Sequence, residues 1–230
     1  MPHFITVLIV AILPIISIFE VRKLKSNISD RTKESAYWRI YFWYVVTSVL
    51  ITFDRPISEL FYHTGSIELP TIINLILWTV VSYHIFMLVV PTVLVCSSKR
   101  MQQATRAAYE EKEYMFPRSG KSLIMFTALA FIVGVSEELI FRGYLYSYMQ
   151  EYWGASALLS LIIVNVLFGL LHFHQGRSAM IDTATLGFAM SQLYIQSGSL
   201  LLPIIFHILY DLKIVIVTRK LGMHKTHQPI

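Results

Sequence analysis

The chain has 230 residues, of which 55% are hydrophobic and only 14% charged, with a formal net charge of +5. Soluble domains average nearer half apolar and a quarter charged, so this balance excludes an ordinary soluble fold and points to a membrane protein of one domain's length. The single cysteine, Cys96, excludes an intrachain disulfide, and basic residues that cluster between apolar runs exclude a nucleic-acid footprint in favour of the cytoplasmic flanks of membrane helices.

Seven apolar segments follow one another: 4–20, 40–54, 71–97, 122–142, 155–173, 179–197 and 200–218. The first lacks a basic leader and a small-residue cleavage site, and its positive cluster (Arg22, Lys23, Lys25) follows the apolar run, so it reads as a retained span and not a signal peptide. The second is short and the third long; Pro70 and Pro91 bracket the third, and Pro91 is expected to kink it. Polar breaks separate the last three, HQGRS at 174–178 and Ser197-Gly198-Ser199. No internal repeat or low-complexity tract is present. The pattern predicts an all-α polytopic bundle of about seven transmembrane helices. It divides into N-terminal helices and loops (1–120), a core (121–218) and a basic tail (219–230).

Orientation follows from lysine and arginine. The stretch 21–39 carries six of them, 98–121 another six (Lys99, Arg100, Arg106, Lys112, Arg118, Lys121), and 55–69 only Arg55; the tail adds Arg219, Lys220 and Lys225. Rich and poor loops alternate as they do for an N-terminus outside and a C-terminus in the cytoplasm.

The fourth segment holds GVSEELIFRGYLY at 134–146. A carboxylate in mid-span costs about 2.5–3.5 kcal/mol on insertion scales, so it needs a partner or a cavity. Glu138 and Arg142 stand at i and i+4 and can pair; Glu137 lies about 100° round the helix and is left free. A plainer alternative makes this stretch a helix end surfacing into headgroups, with Arg142 snorkelling and Tyr144, Tyr146, Tyr148, Tyr152 and Trp153 as an interfacial belt. Two further segments weigh against it. Asn165, Phe168 and His172 share one helical face, and His207 and Asp211 are again i and i+4. Ionisable residues on three separate spans are best compensated in one shared polar pocket. Asp182, Thr185, Gln192 and Gln196 form a polar line on the intervening segment, read as helix-to-helix hydrogen bonding.

Two chemistries suit such a pocket, and both lead to amide hydrolysis. Glu137 could act as general base on water with His172 as its partner, while His207, oriented or assisted by Asp211, stabilises an oxyanion. Alternatively Glu137, His172 and His207 could hold zinc with water in the fourth position, although no HExxH signature is present. Neither Cys96, at the far end of another span, nor Ser136, which lacks a G-x-S-x-G elbow, offers a nucleophile.

The motifs EExxxR (Glu137, Glu138, Arg142), FxxxH (Phe168, His172) and HxxxD (His207, Asp211), in this order on membrane helices, resemble the CPBP family. It comprises the type II CAAX prenyl endopeptidases and bacteriocin-processing enzymes, once grouped as an abortive-infection family. The resemblance covers roughly residues 120–218. It implies an intramembrane endopeptidase in which Glu137 is the catalytic glutamate, His172 its partner in activating water, and His207 with the residue four on the oxyanion stabiliser; family labels of metalloprotease leave zinc, or no cofactor, as the alternatives. The prenyl-protein proteases usually carry asparagine where this chain has Asp211, and an ionised aspartate cannot donate a hydrogen bond. The expected substrate is therefore a bacterial-type peptide or membrane protein, met in the lipid bilayer of a bacterial plasma membrane. A catalytically silent regulatory partner and a proton-coupled transporter are the competing functions.

The register raises one difficulty. His172 and Glu137 match in depth only if the fourth helix runs unbroken through Gly143 to about Met149 before turning near Gly154. His207, eight residues past Ser199, then sits too shallow unless its helix bends near Pro203. Lys213 has no evident role.

Overall fold

The computed structural model describes residues 1–63, 67–111, 114–117 and 119–222; Lys112, Arg118 and Lys225 of the orientation argument lie outside them. Among the described residues the chain is all helical but for one isolated bridge, Tyr62 to Ser199.

Helix α1 spans Pro2–Ser26 and contains a π turn at Leu8–Ile12. Helix α2, Asp30–Asp54, starts at Ser29, whose Oγ accepts from the Thr32 amide at 3.2 Å. The short α3, Ile57–Phe61, leads to α4, Thr71–Ser97, which opens behind Pro70 and runs through Pro91. Helix α5, Lys99–Glu111, has no buried residue but rests on the bundle's end. There its Arg106 donates to the Leu221 carbonyl, and Tyr109 packs 4.8 Å from the ring of Phe116, where burial pushes its phenol up to about 12.

Helix α6, Gly120–Trp153, is the spine. A capping box between Ser119 and Ser122 begins it. It passes through Gly143 without a break, contains a π segment at Leu139–Leu145, and stops at Gly154, whose φ of 62° is the left-handed turn that glycine adopts without strain. Helix α7, Ala157–Leu170, gives way to a 3₁₀ turn at Phe173–Gln175; α8, Arg177–Ser197, and α9, Leu201–Lys220, complete the bundle.

Four of these helices, α1, α4, α6 and α9, are long and apolar enough to cross a membrane. The other expected spans are helices too, but α7 has only 14 residues, and α2 and α8 carry polar and charged residues along their length. Length and composition therefore do not establish a count of seven. Burial is inverted relative to a soluble protein: Phe53 is 74% exposed, whereas Arg142 is 1% exposed. Many large apolar side chains face outward while Glu137, Glu138 and Arg142 are buried, as a bilayer solvent favours.

The aromatic run after Arg142 is not an interfacial belt. Tyr144, Tyr146 and Tyr148 are buried in the main core with Ile140, Phe168 and Tyr194; Tyr152 and Trp153 alone are exposed. The reason is that α6 continues past Arg142 into protein: Tyr144 Oη donates to the Pro2 carbonyl at 2.9 Å, and Tyr148 Oη lies 2.6 Å from Nδ1 of His3. These contacts tie the start of α1 to α6, and an ion pair between Glu20 and Arg39 ties its other end to α2.

Helices α7 and α8 cross at Gly169, where a Cβ would stand 2.6 Å from both the Ala184 Cβ and the Met180 carbonyl. The polar line on α8 does bond helices together. Gln192 Nε2 donates to Asn74 Oδ1 of α4 at 2.5 Å, Gln196 reaches the same oxygen at 3.5 Å, and Thr185 Oγ1 lies 3.1 Å from Nε2 of the buried His84. Asp182 points outward. Lys213 lies 3.8 Å over the ring of Tyr210 on its own helix, a cation–π contact that accounts for its place in the span.

Candidate active site

The two glutamates stand side by side at the end of the regular part of α6, immediately before its π segment, and both are buried. π segments insert an extra residue into a helix and recur where function needs a re-aimed side chain. Arg142 lies inside this one and still reaches back to Glu138, Nη1 to Oε1 at 3.1 Å. Three more of its five N–H groups find protein partners: Nη2 bonds the Gly187 carbonyl at 2.9 Å and Asn165 Oδ1 at 3.0 Å, and Nε lies 3.5 Å from Ser191 Oγ. Asn165 in turn donates to Ser191 Oγ at 2.9 Å and to the Leu161 carbonyl at 2.8 Å. A buried guanidinium bonded to three helices in this way fixes α6 against α7 and α8.

Asn165 was grouped with His172 by helical face, but the structure sends the two to different tasks. Asn165 joins the arginine, while His172 stands beyond the last turn of α7, its Nδ1 donating to the Phe168 carbonyl at 2.8 Å. In neutral imidazole that bond leaves Nε2 as an acceptor. Phe168 sits between the two environments, with its ring 4.8 Å from the Arg142 guanidinium, 5.1 Å from the ring of His172 and 6.2 Å from that of His207.

His207 comes from α9 and lies between the glutamates. Its Nδ1 is 2.8 Å from Glu138 Oε1, and its Nε2 is 3.5 Å from Glu137 Oε2 and 3.9 Å from Asp211 Oδ2. The expected mismatch in depth does not arise. The turn into α9 is set deeper than the turn after α6: Leu200 packs beside Gly143, where a glycine Cβ would be 3.4 Å from its Cδ1. His207 therefore starts its descent from the level of Gly143, not from that of Gly154.

Glu137 and His172 line a common cavity of ≈ 70 Å³, closed on one side by Ile9 and Leu13 of α1 and bordered by Tyr44 and His174. Two waters at about 30 Å³ each would fill it. Tyr44 of α2 donates its phenolic hydrogen to Glu137 Oε1.

Residues 119–213 match the family model described as type II CAAX prenyl endopeptidase Rce1-like. Over this stretch, less than half of the chain, the sequence is similar to that family. The similarity is to a CAAX-type protease family, and the four helices long and apolar enough to cross a membrane agree with an integral membrane protein. No curated protein and no solved structure matches the chain.

The matched stretch contains Glu137, Glu138, Arg142, His172, His207 and Asp211, whereas Tyr44 and the α1 wall of the cavity lie outside it. The zinc alternative does not fit. Among the described residues no group of three His, Cys, Asp or Glu side chains is arranged to hold a metal ion. His207 Nδ1 is also engaged by Glu138. Sequence reasoning missed Tyr44, Ser191 and Gly187, which carry no ionisable group in the relevant pH range and share no motif with the glutamates.

Proposed function

We propose that the chain is an intramembrane endopeptidase that cleaves a peptide bond in a membrane-associated peptide or protein. Glu137 takes a proton from water in the cavity, with the free Nε2 of His172 as the second acceptor. The hydroxide adds to the scissile carbonyl. The doubly protonated imidazole of His207, whose Nδ1–H is held by Glu138, presents Nε2–H to the developing oxyanion. Asp211 orients that ring electrostatically and need not itself donate. The proton gathered by Glu137 and His172 passes to the leaving amine as the C–N bond breaks. Glu138 and Arg142 hold the ensemble in register.

The observation that carries this reading is that Glu137 and His172 line one water-sized cavity while Nε2 of His207 stands 3.5 Å from Glu137. The lysine and arginine distribution supports an N-terminus outside and a C-terminus in the cytoplasm of a bacterial plasma membrane. The test is cleavage of membrane-tethered peptides by the purified full chain and by its Glu137→Gln and His172→Gln variants. Loss of turnover by about 10²–10⁴-fold in each is expected. Variants that cleave like the parent reject the assignment.

A further inference from the structure

One face of α2, outside the stretch that matches the family model, is devoted to finding acceptors on α6 and the segment before it. Lys33, Tyr37, Tyr41 and Tyr44 recur at helical spacing. Lys33 Nζ donates to the Phe116 carbonyl at 2.5 Å, Tyr37 Oη to the Met115 carbonyl at 3.3 Å, and Tyr41 Oη to the Met125 carbonyl. The first three end on backbone. The fourth, Tyr44, ends on Oε1 of Glu137, and it also lines the cavity that Glu137 shares with His172. The carboxylate is thus addressed at both oxygens from outside its own helix, Oε1 by a phenol of α2 and Oε2 by the imidazole of α9 at 3.5 Å.

We infer that Tyr44 is a positioning residue for Glu137, holding its carboxylate so that one oxygen faces the cavity water, and that α2 is therefore part of the catalytic unit. The inference rests on the protease reading above for its catalytic meaning and on the Tyr44–Glu137 hydrogen bond for its structural meaning. A carboxylate on a flexible stem has several rotamers, and an oriented general base gains rate by occupying the productive one before substrate arrives. Removing only the hydroxyl should then slow chemistry without loosening substrate.

The experiment uses the full chain in three forms. Tyr44→Phe is expected to lower kcat about tenfold or more while KM stays within about twofold, the pattern of an interaction used in the transition state. A series of fluorotyrosines introduced at position 44 keeps the ring and varies only phenol acidity; kcat should change monotonically along it, which a packing role would not produce. Independently of turnover, the ¹⁹F resonance of 3-fluorotyrosine at position 44 should move when Glu137→Gln is added. A resonance indifferent to that change overturns the inference, as does a Tyr44→Phe enzyme with unaltered kcat or a flat fluorotyrosine series. A resonance that responds in a protein that cleaves nothing removes the protease reading and leaves the pairing of Tyr44 with Glu137 in place.

Discussion

Nδ1 of His207 lies 2.8 Å from Oε1 of Glu138, across 69 residues of chain and two helices. The same Oε1 accepts from Arg142 at 3.1 Å, so one oxygen joins α9 to the guanidinium that locks α6 to α7 and α8. Stability and chemistry therefore meet at Glu138.

The first expectation concerns that guanidinium. Arg142→Ala leaves buried Glu138 with His207 alone and strips a donor from Asn165 Oδ1 and from the Gly187 carbonyl, a loss of about 3–5 kcal/mol. Arg142→Lys keeps the charge, but three donors on one nitrogen cannot reach four acceptors set around a planar fork, and it should recover only part of the loss. Unfolding in detergent measures both; a lysine variant as stable as the parent would show that charge alone, and not the fork of donors, is needed.

Gly169→Ala places a methyl group 2.6 Å from the Met180 carbonyl and from the Ala184 Cβ, neither of which is the far end of a flexible side chain. Helices α7 and α8 must separate, at about 1–3 kcal/mol by the usual penalty for overpacking. The thermal midpoint should drop, and activity with it, since His172 hangs from the end of α7. An unchanged midpoint would mean that the two helices are less closely packed than described.

Because no group of three donors among the described residues is arranged to hold a metal ion, chelation should leave turnover within about twofold of the untreated enzyme. A loss of an order of magnitude that added zinc restores would contradict that expectation.

His174, in the turn between α7 and α8, has its imidazole pushed down from 6.5 to about 4, by burial first and by the neighbouring His172 second. A group depressed on folding favours the folded state while neutral. Its contribution is complete above about 6.5 and is lost as pH falls toward 4. The parent should therefore lose more thermal stability than His174→Gln between these limits, and parallel acid profiles for the two would refute it.

Much of the site was legible because helical periodicity is a strong signal over short distances. Glu138 and Arg142 sit four apart on one helix, and their pairing follows from spacing alone. His207 and Asp211 were legible as residue types out of place in lipid, but the partner of His207 was not, since it depends on how deeply the turn at Leu200 is set. Tyr44 was illegible as a site residue: one tyrosine in an aromatic span gives no sign of which carboxylate it meets. The aromatics after Arg142 misled for the converse reason. Tyrosines next to a buried arginine resemble a membrane surface in composition, and only the length of α6 shows that they lie inside.

That length has a further consequence. At 34 residues α6 extends about 51 Å, well beyond a hydrocarbon core of about 30 Å. Its paired acids fall near the halfway point, 17 residues from Gly120 and 15 from Trp153. Any peptide cut there must be brought to the centre of the rod, yet a helical peptide in lipid keeps its amides closed within its own turns. The bond must first be pulled out of helix, so segments already frayed by proline or glycine, or ending in an extended tail, will be processed before intact spans.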